Sequence, residues 1–214
     1  VTSNTPAPVT LSYPFTGRWR AKNSPARRVP SHGTDLLGTS YAIDFVAVGE
    51  HGRGAPLSLA SVFGTEDPEK FVGFGAPVLA PLAGRIVESY DGECDRIARR
   101  SQLSLLGYSA TQGRRLREGV PALAGNYVVI DPTGEGPFVL LAHLRRGSIR
   151  VRDGDFVEQG RAIGECGNSG NSTQPHVHLQ ATDSTDWEHA AGIPLRFCSL
   201  GAPELPAESE IVEI

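Results

Sequence analysis

Two histidines one residue apart, His176-Val177-His178, stand in an apolar run that reads as a strand. Side chains alternate along a strand, so both imidazoles project from one face, about 6.6 Å apart along the chain. One of them can bind a metal ion while the other stands beside it. The plainer alternative is a pair of polar residues on a solvated sheet face. The shaped loop Gly167-Asn168-Ser169-Gly170-Asn171-Ser172 feeds directly into the pair and favours a built site. Asp44 is the second such residue, inside Tyr41-Ala42-Ile43-Asp44-Phe45-Val46. A carboxylate drawn into an apolar strand is costly unless it is paired, hydrogen-bonded or on a metal. One of the 18 arginines could satisfy Asp44 taken alone; beside the histidine pair, a metal is the better reading. His143 ends the run Phe138-Val139-Leu140-Leu141-Ala142. A histidine there is most often a satisfied core residue, and otherwise projects into a shared cleft.

Strands and turns must bring these residues together. Glycine (25) and proline (16) are abundant for 214 residues. Such punctuation excludes a coiled coil or helical bundle and favours short strands. Strands are expected at Ser40–Val48, Pro77–Ala80, Gly84–Tyr90 and His176–Gln180, and Leu11–Ala21 suits another. Asn126–Ile130 and Pro137–His143 read as a hairpin about Asp131-Pro132-Thr133-Gly134. Val151–Gly164 reads as tight turns, and residues 91–125 as an insertion with a helical pattern over Asp95–Leu106. Gly75, Val78, Gly84 and Ile86 are echoed by Gly154, Val157, Gly160 and Ile163, which suggests two related β units in one domain. The organisation expected is an N-terminal strand and loop at 1–38, a β domain over 39–200, and an exposed tail at 201–214.

The formal net charge of −4 does not point to nucleic acid as a partner. No apolar run approaches the roughly 20 residues of a membrane-spanning helix. Cys94, Cys166 and Cys198 form no CxxC pair, which excludes a zinc ribbon or thioredoxin-like motif. A chain that starts at Val1 and holds no Met reads as processed or trimmed, with any signal peptide already removed.

The ordered set Ala42-Ile43-Asp44-Phe45, Gly75–Val87, Ala142-His143-Leu144, Gly154–Gly160 and Ile163–Gln180 resembles the lysostaphin-type zinc metalloendopeptidases, which cut the peptide parts of bacterial cell walls. The resemblance runs in family order from about residue 40 to 180. It implies an all-β fold, mainly antiparallel, in a two-layer sandwich or barrel-like arrangement with a groove; the insertion adds a small, partly helical part. It implies one Zn2+ held by a His, an Asp and the second His of HxH. Asp44 and His178 match two of those ligands, and His143 and His176 match the two non-ligand histidines that act on water and carbonyl. The sequence departs at the first ligand. The usual position, four residues before the Asp, is Ser40. His32 is the nearest upstream histidine; Gly33 and Gly38 let its loop fold back, and Ser40 and Asp35 are poorer partners for zinc. Gln174 replaces a frequently small residue, so a changed loop contour is expected there.

The implied activity is zinc-dependent hydrolysis of peptide bonds in peptidoglycan cross-links or stem peptides, by a protein placed outside the cytoplasm. Three protein ligands leave a fourth position for water, whose pKa zinc lowers to about 7. One free imidazole takes a proton, worth about 10²–10⁴ in rate, and the other steadies the developing oxyanion. His143 and His176 fill these roles in either order. Two alternatives stand beside this one. A relative without catalysis would bind wall material or regulate another hydrolase, and the Ser40 departure suits it. A biotinyl- or lipoyl-like carrier suits the glycine echo but lacks a lysine in a suitable turn. Arg96, Arg99 and Arg100 have helical spacing, and Arg114, Arg115 and Arg117 follow. They read as a solvated face, or else as an anion-contacting overhang above the groove.

Overall fold

The computed structural model describes residues 6–56, 64–99, 120–198 and 204–214. Thirteen strands run through these segments: β1 Val9–Leu11, β2 Arg18–Lys22, β3 Ile43–Ala47, β4 Pro77–Leu79, β5 Gly84–Tyr90, β6 Asn126–Asp131, β7 Phe138–Leu144, β8 Phe156–Val157, β9 Ala162–Glu165, β10 Val177–Thr182, β11 Gly192–Ile193, β12 Leu195–Phe197 and β13 Ile211–Glu213. Eight make one antiparallel path in the order β13-β2-β3-β10-β7-β6-β5-β8, and β11 pairs with β10. Two ribbons stand apart from it, β4 with β9 (antiparallel) and β1 with β12 (parallel). The fold is all-β and mainly antiparallel, and no closed barrel forms among the described residues.

Strand alternation explains the layers. Ile43, Phe45 and Ala47 of β3, Val177, Leu179 and Ala181 of β10, Val139 and Leu141 of β7, and Val128 and Ile130 of β6 all enter one apolar core. The ribbons close that core from the other side with Leu11, Val78, Ile163, Leu195 and Phe197. Phe15 stacks on Trp19 at 4.7 Å between ring centres and meets Phe45 edge-on at 4.9 Å. The opposite face of the large sheet carries the residues of other parity, Asp44, His178, Gln180, Leu140, Ala142, Tyr127 and Val129, and that face holds the groove.

The hairpin and the strand at Gly84–Tyr90 lie where the sequence puts them. The echoed glycine units exchange partners: β4 of the first pairs with β9 of the second, and β5 of the first with β8 of the second. Three expectations change. Val151–Gly164 contains β8 and the start of β9 as well as turns. The last residues of the chain are an edge strand, since Ile211–Glu213 pairs with Arg18–Arg20. The helical pattern over Asp95–Leu106 gives no helix in its described part. Asp95 bridges to Ser169 and Ala98 to Glu66, both antiparallel. Tertiary partners override the local spacing, because the Asp95 carboxylate accepts the backbone N–H of Asn168 at 2.7 Å and of Arg146 at 3.0 Å. Residues 100–106, with Arg100, Arg114, Arg115 and Arg117, lie outside the described residues. Within the insertion a short helix, α1, spans Val120–Ala124.

Candidate metal centre

Asp44, His178 and Ala142 are lateral neighbours on three adjacent strands. Asp44 of β3 pairs with His178 of β10, which pairs with Ala142 of β7. His176 precedes β10 with the parity of His178 and so shares its face. His143 breaks parity. Strict alternation would send it into the core with Val139 and Leu141. Instead β6 and β7 pair Asn126 with Leu144 and Val128 with Leu141, which leaves one extra residue in β7. The bulge includes His143 at φ 62, and it turns the imidazole to the groove. His32 arrives from a loop pinned to the residues before β3. Ser31 N donates to Ser40 O at 2.9 Å and Ser31 Oγ to Thr39 O at 3.1 Å. The histidine twelve positions upstream is thereby brought against Asp44, while Ser40 supplies a backbone carbonyl.

Donor atoms of His32, Asp44 and His178 all lie within 4.8 Å of one another. His32 Nε2 is 3.2 Å from Asp44 Oδ2, and His178 Nδ1 is 2.9 Å from Asp44 Oδ1. The outer nitrogen of each ring is already committed. Ser31 Oγ spends its proton on Thr39 O, so at 3.0 Å it accepts from His32 Nδ1. Gln180 donates its amide to Leu37 O at 2.9 Å, which leaves Oε1 to accept from His178 Nε2 at 2.9 Å. In the neutral rings the inner nitrogens are therefore bare lone pairs aimed at a carboxylate. Such an arrangement needs extra protons or a cation among its three donors. Two imidazoles and a carboxylate are donors that zinc takes, and outer-shell partners of this kind orient metal-bound histidines. The residues fit the ion.

Electrostatics agree. Burial alone would raise the Asp44 pKa, but His176, His32 and the hydrogen bonds of His178 and His32 outweigh it and hold the carboxyl well below the usual range. Burial lowers His178, yet its hydrogen bond and charge contact with Asp44 carry it above the ordinary histidine value. His143 and His176 go the other way. Burial, with the neighbouring histidines, pushes His143 well down. Burial likewise lowers His176. Each donates Nδ1–H to a carbonyl, His143 to Ser169 O at 3.0 Å and His176 to Gln174 O at 2.8 Å. A carbonyl only accepts, so both rings present an unprotonated Nε2. Their centroids are 4.6 Å apart.

All five predicted site residues line one groove of about 560 Å³. Three groups escape the sequence reading. Asn23 Nδ2 donates to Asp44 Oδ2 at 2.7 Å from the neighbouring strand edge, which no motif marks. Trp187 walls the groove from a loop. Gln180 had a readable signal, since it lies two residues after His178 on the same strand face. His51 and His189 stand outside the groove.

Residues 108–188 match the family model described as Peptidase family M23; His143, His176 and His178 fall inside the match, His32 and Asp44 outside it. The peptidoglycan DD-endopeptidase ShyA of Vibrio cholerae is 40% identical over 57 residues, 27% of this chain and 13% of ShyA. An arginine–tRNA ligase of Clavibacter sepedonicus is 34% identical over 100 residues, 44% of this chain and 17% of the ligase. The chain thus spans less than a fifth of either curated relative. Among solved structures, the catalytic domain of lysostaphin from Staphylococcus simulans aligns at 18% identity and a TM-score of 0.41, covering 85% of this chain and 86% of that one. Across the matched stretch, which carries three of the five predicted site residues, the chain is similar to peptidase family M23.

Proposed function

We propose that the protein is a zinc-dependent endopeptidase that cuts peptide bonds of peptidoglycan, outside the cytoplasm. His32, Asp44 and His178 would hold the ion. The observation that carries this reading is the convergence of two imidazole nitrogens on one buried carboxylate, with the far side of each ring fixed by Ser31 or Gln180. Bound there, zinc would supply Lewis acidity and lower the pKa of water from 15.7 to about 7. The chain's own groups supply the rest. His143 and His176 stay neutral because they are buried, so an Nε2 of either can take a proton from an attacking water. Once protonated, that imidazole can return the proton to the leaving amine; the other can steady the carbonyl oxygen only in a form that carries a proton on Nε2. Asn23 holds Asp44 in place. The relative named as a peptidoglycan endopeptidase supports the choice of substrate.

Ser40 at the usual ligand position favours a second reading, a wall-binding or hydrolase-regulating module without catalysis. Metal analysis of purified protein separates the two. The enzyme is expected to carry one zinc per chain, to lose it in His178→Ala, and to release fragments from purified peptidoglycan. A folded protein that sediments with peptidoglycan, carries no zinc after dialysis against the metal and releases nothing establishes the second reading.

A further inference from the structure

Beside the histidines the floor of the groove is hydrocarbon, and the reaction described above makes no use of it. Leu140 and Ala142 of β7, Trp187 and Leu37 form one apolar cluster on the open face of the sheet. The same groove is lined by these residues and by His143 and His178. The cluster is held by polar bonds from beneath. Trp187 Nε1 donates to Glu88 Oε2 at 3.3 Å, and Glu88 Oε1 accepts the Tyr127 hydroxyl. A register shift between Ile86 and Glu88 in β5 lets Val87 and Glu88 both serve this face. Leu37 is held against its own preference. It lies at φ 57, a left-handed conformation that bulky residues avoid. Its carbonyl accepts from Gln180, the residue that also orients His178. Gly38 behind it packs so closely that a Cβ there would come within 2.4 Å of Thr182 Cγ2. The apolar floor and the metal centre therefore share a support.

We infer that this floor is a side-chain subsite: the substrate lays an alkyl side chain, alanine to leucine in size, on the residue next to the scissile amide, against Trp187, Leu37 and Leu140. Glycine–glycine bonds are then poor substrates, because glycine has nothing to cover the floor. This inference rests on the peptidase reading for its chemistry but not for its binding. Each buried methylene is worth ~4-fold in affinity, so alanine is favoured over glycine by about that factor and leucine by more.

The chain has two tryptophans, Trp19 in the core and Trp187 in the groove. Their indole N–H resonances can be told apart by the signal lost in Trp187→Phe. The zinc-loaded protein is titrated with blocked dipeptides of glycine, alanine and leucine, and their hydrolysis is followed in parallel. Alanine and leucine peptides are expected to shift the Trp187 signal saturably, with dissociation constants falling from glycine to leucine. The specificity constants for cleavage follow the same order. Trp187→Ala levels that order, and the milder Trp187→Phe keeps most of it while preserving the fold. Equal binding and cleavage of glycine and alanine peptides overturns the subsite, as does an alanine peptide that leaves the Trp187 signal unmoved. Graded binding at Trp187 without cleavage of any peptide supports the subsite and overturns only the peptidase reading.

Discussion

His143 is held by backbone geometry as much as by contacts. Its φ of 62 is uncommon for any residue but glycine, though asparagine also tolerates it. His143→Asn is therefore expected to fold with little loss, whereas His143→Val, β-branched in a left-handed turn, costs about 1–3 kcal/mol by chemical denaturation. If His143 takes or gives a proton in the reaction, the Asn variant loses about 10²–10⁴ in turnover while its thermal midpoint stays close to the parent's. Unchanged turnover would remove His143 from the mechanism. Gln180 acts at one remove. In Gln180→Leu the His178 Nε2 proton loses its acceptor, and Leu37 O loses its donor. Zinc affinity, read by competition with a chelating dye, is expected to fall about 10–100-fold. Retained affinity would show that the ring needs no such support.

The elements around the site are close-packed where glycine is used. Gly125 lies between α1 and β6 at φ 69, and a Cβ there would meet Ser169 Oγ at 2.3 Å and Gly170 N at 2.7 Å. Gly125→Ala pushes on the loop whose Ser169 carbonyl holds His143, so it is expected to cost about 2–4 kcal/mol and to lower turnover as well. A urea melt indistinguishable from the parent's would show that the loop yields freely. At this scale the sequence is legible where alternation governs. The β10 strand alternates apolar Val177, Leu179 and Ala181 with polar His178, Gln180 and Thr182, and its period of two is written in the residues, whereas β6 and β7 are buried along their length and read as apolar runs. Asp44, His143, His176 and His178 were readable as candidates through that pattern and the family resemblance, whereas His32 departs from the family spacing and was reached only as the nearest upstream histidine. The rest was not, because long-range partners decide it. Asp95 and Ala98 pair with Ser169 and Glu66, against a helix-like arginine spacing. Ile211–Glu213 pairs with residues nearly 200 positions earlier, and Asn23 meets Asp44 only after β2 and β3 have aligned.

For the whole molecule, alkaline pH acts through two phenols, the half-buried Tyr13 and the buried Tyr127. Tyr13 stacks on Phe197 at 4.8 Å. Burial first, then Glu210 and Glu204, push its pKa from 10.0 up to about 12. The folded state keeps that proton longer than the unfolded chain, so the contribution is complete below the unfolded value and is lost as pH rises from 10.0 to about 12. Tyr127, buried and bonded to Glu88, shifts in the same sense. Unfolding free energy followed above neutral pH should fall through that window, and Tyr13→Phe should flatten the fall. A Tyr13→Phe profile as steep as the parent's would place the alkaline loss elsewhere. Another consequence lies in the distance between the two ends of the site. Asp44 and His178 touch although 134 positions separate them. During synthesis the ribosome delivers His32 and Asp44 early, with β2 but long before β7 and β10. Until residue 178 has emerged, a nascent chain owns only two of the three candidate donors, so the cluster of His32, Asp44 and His178 can form only late in synthesis.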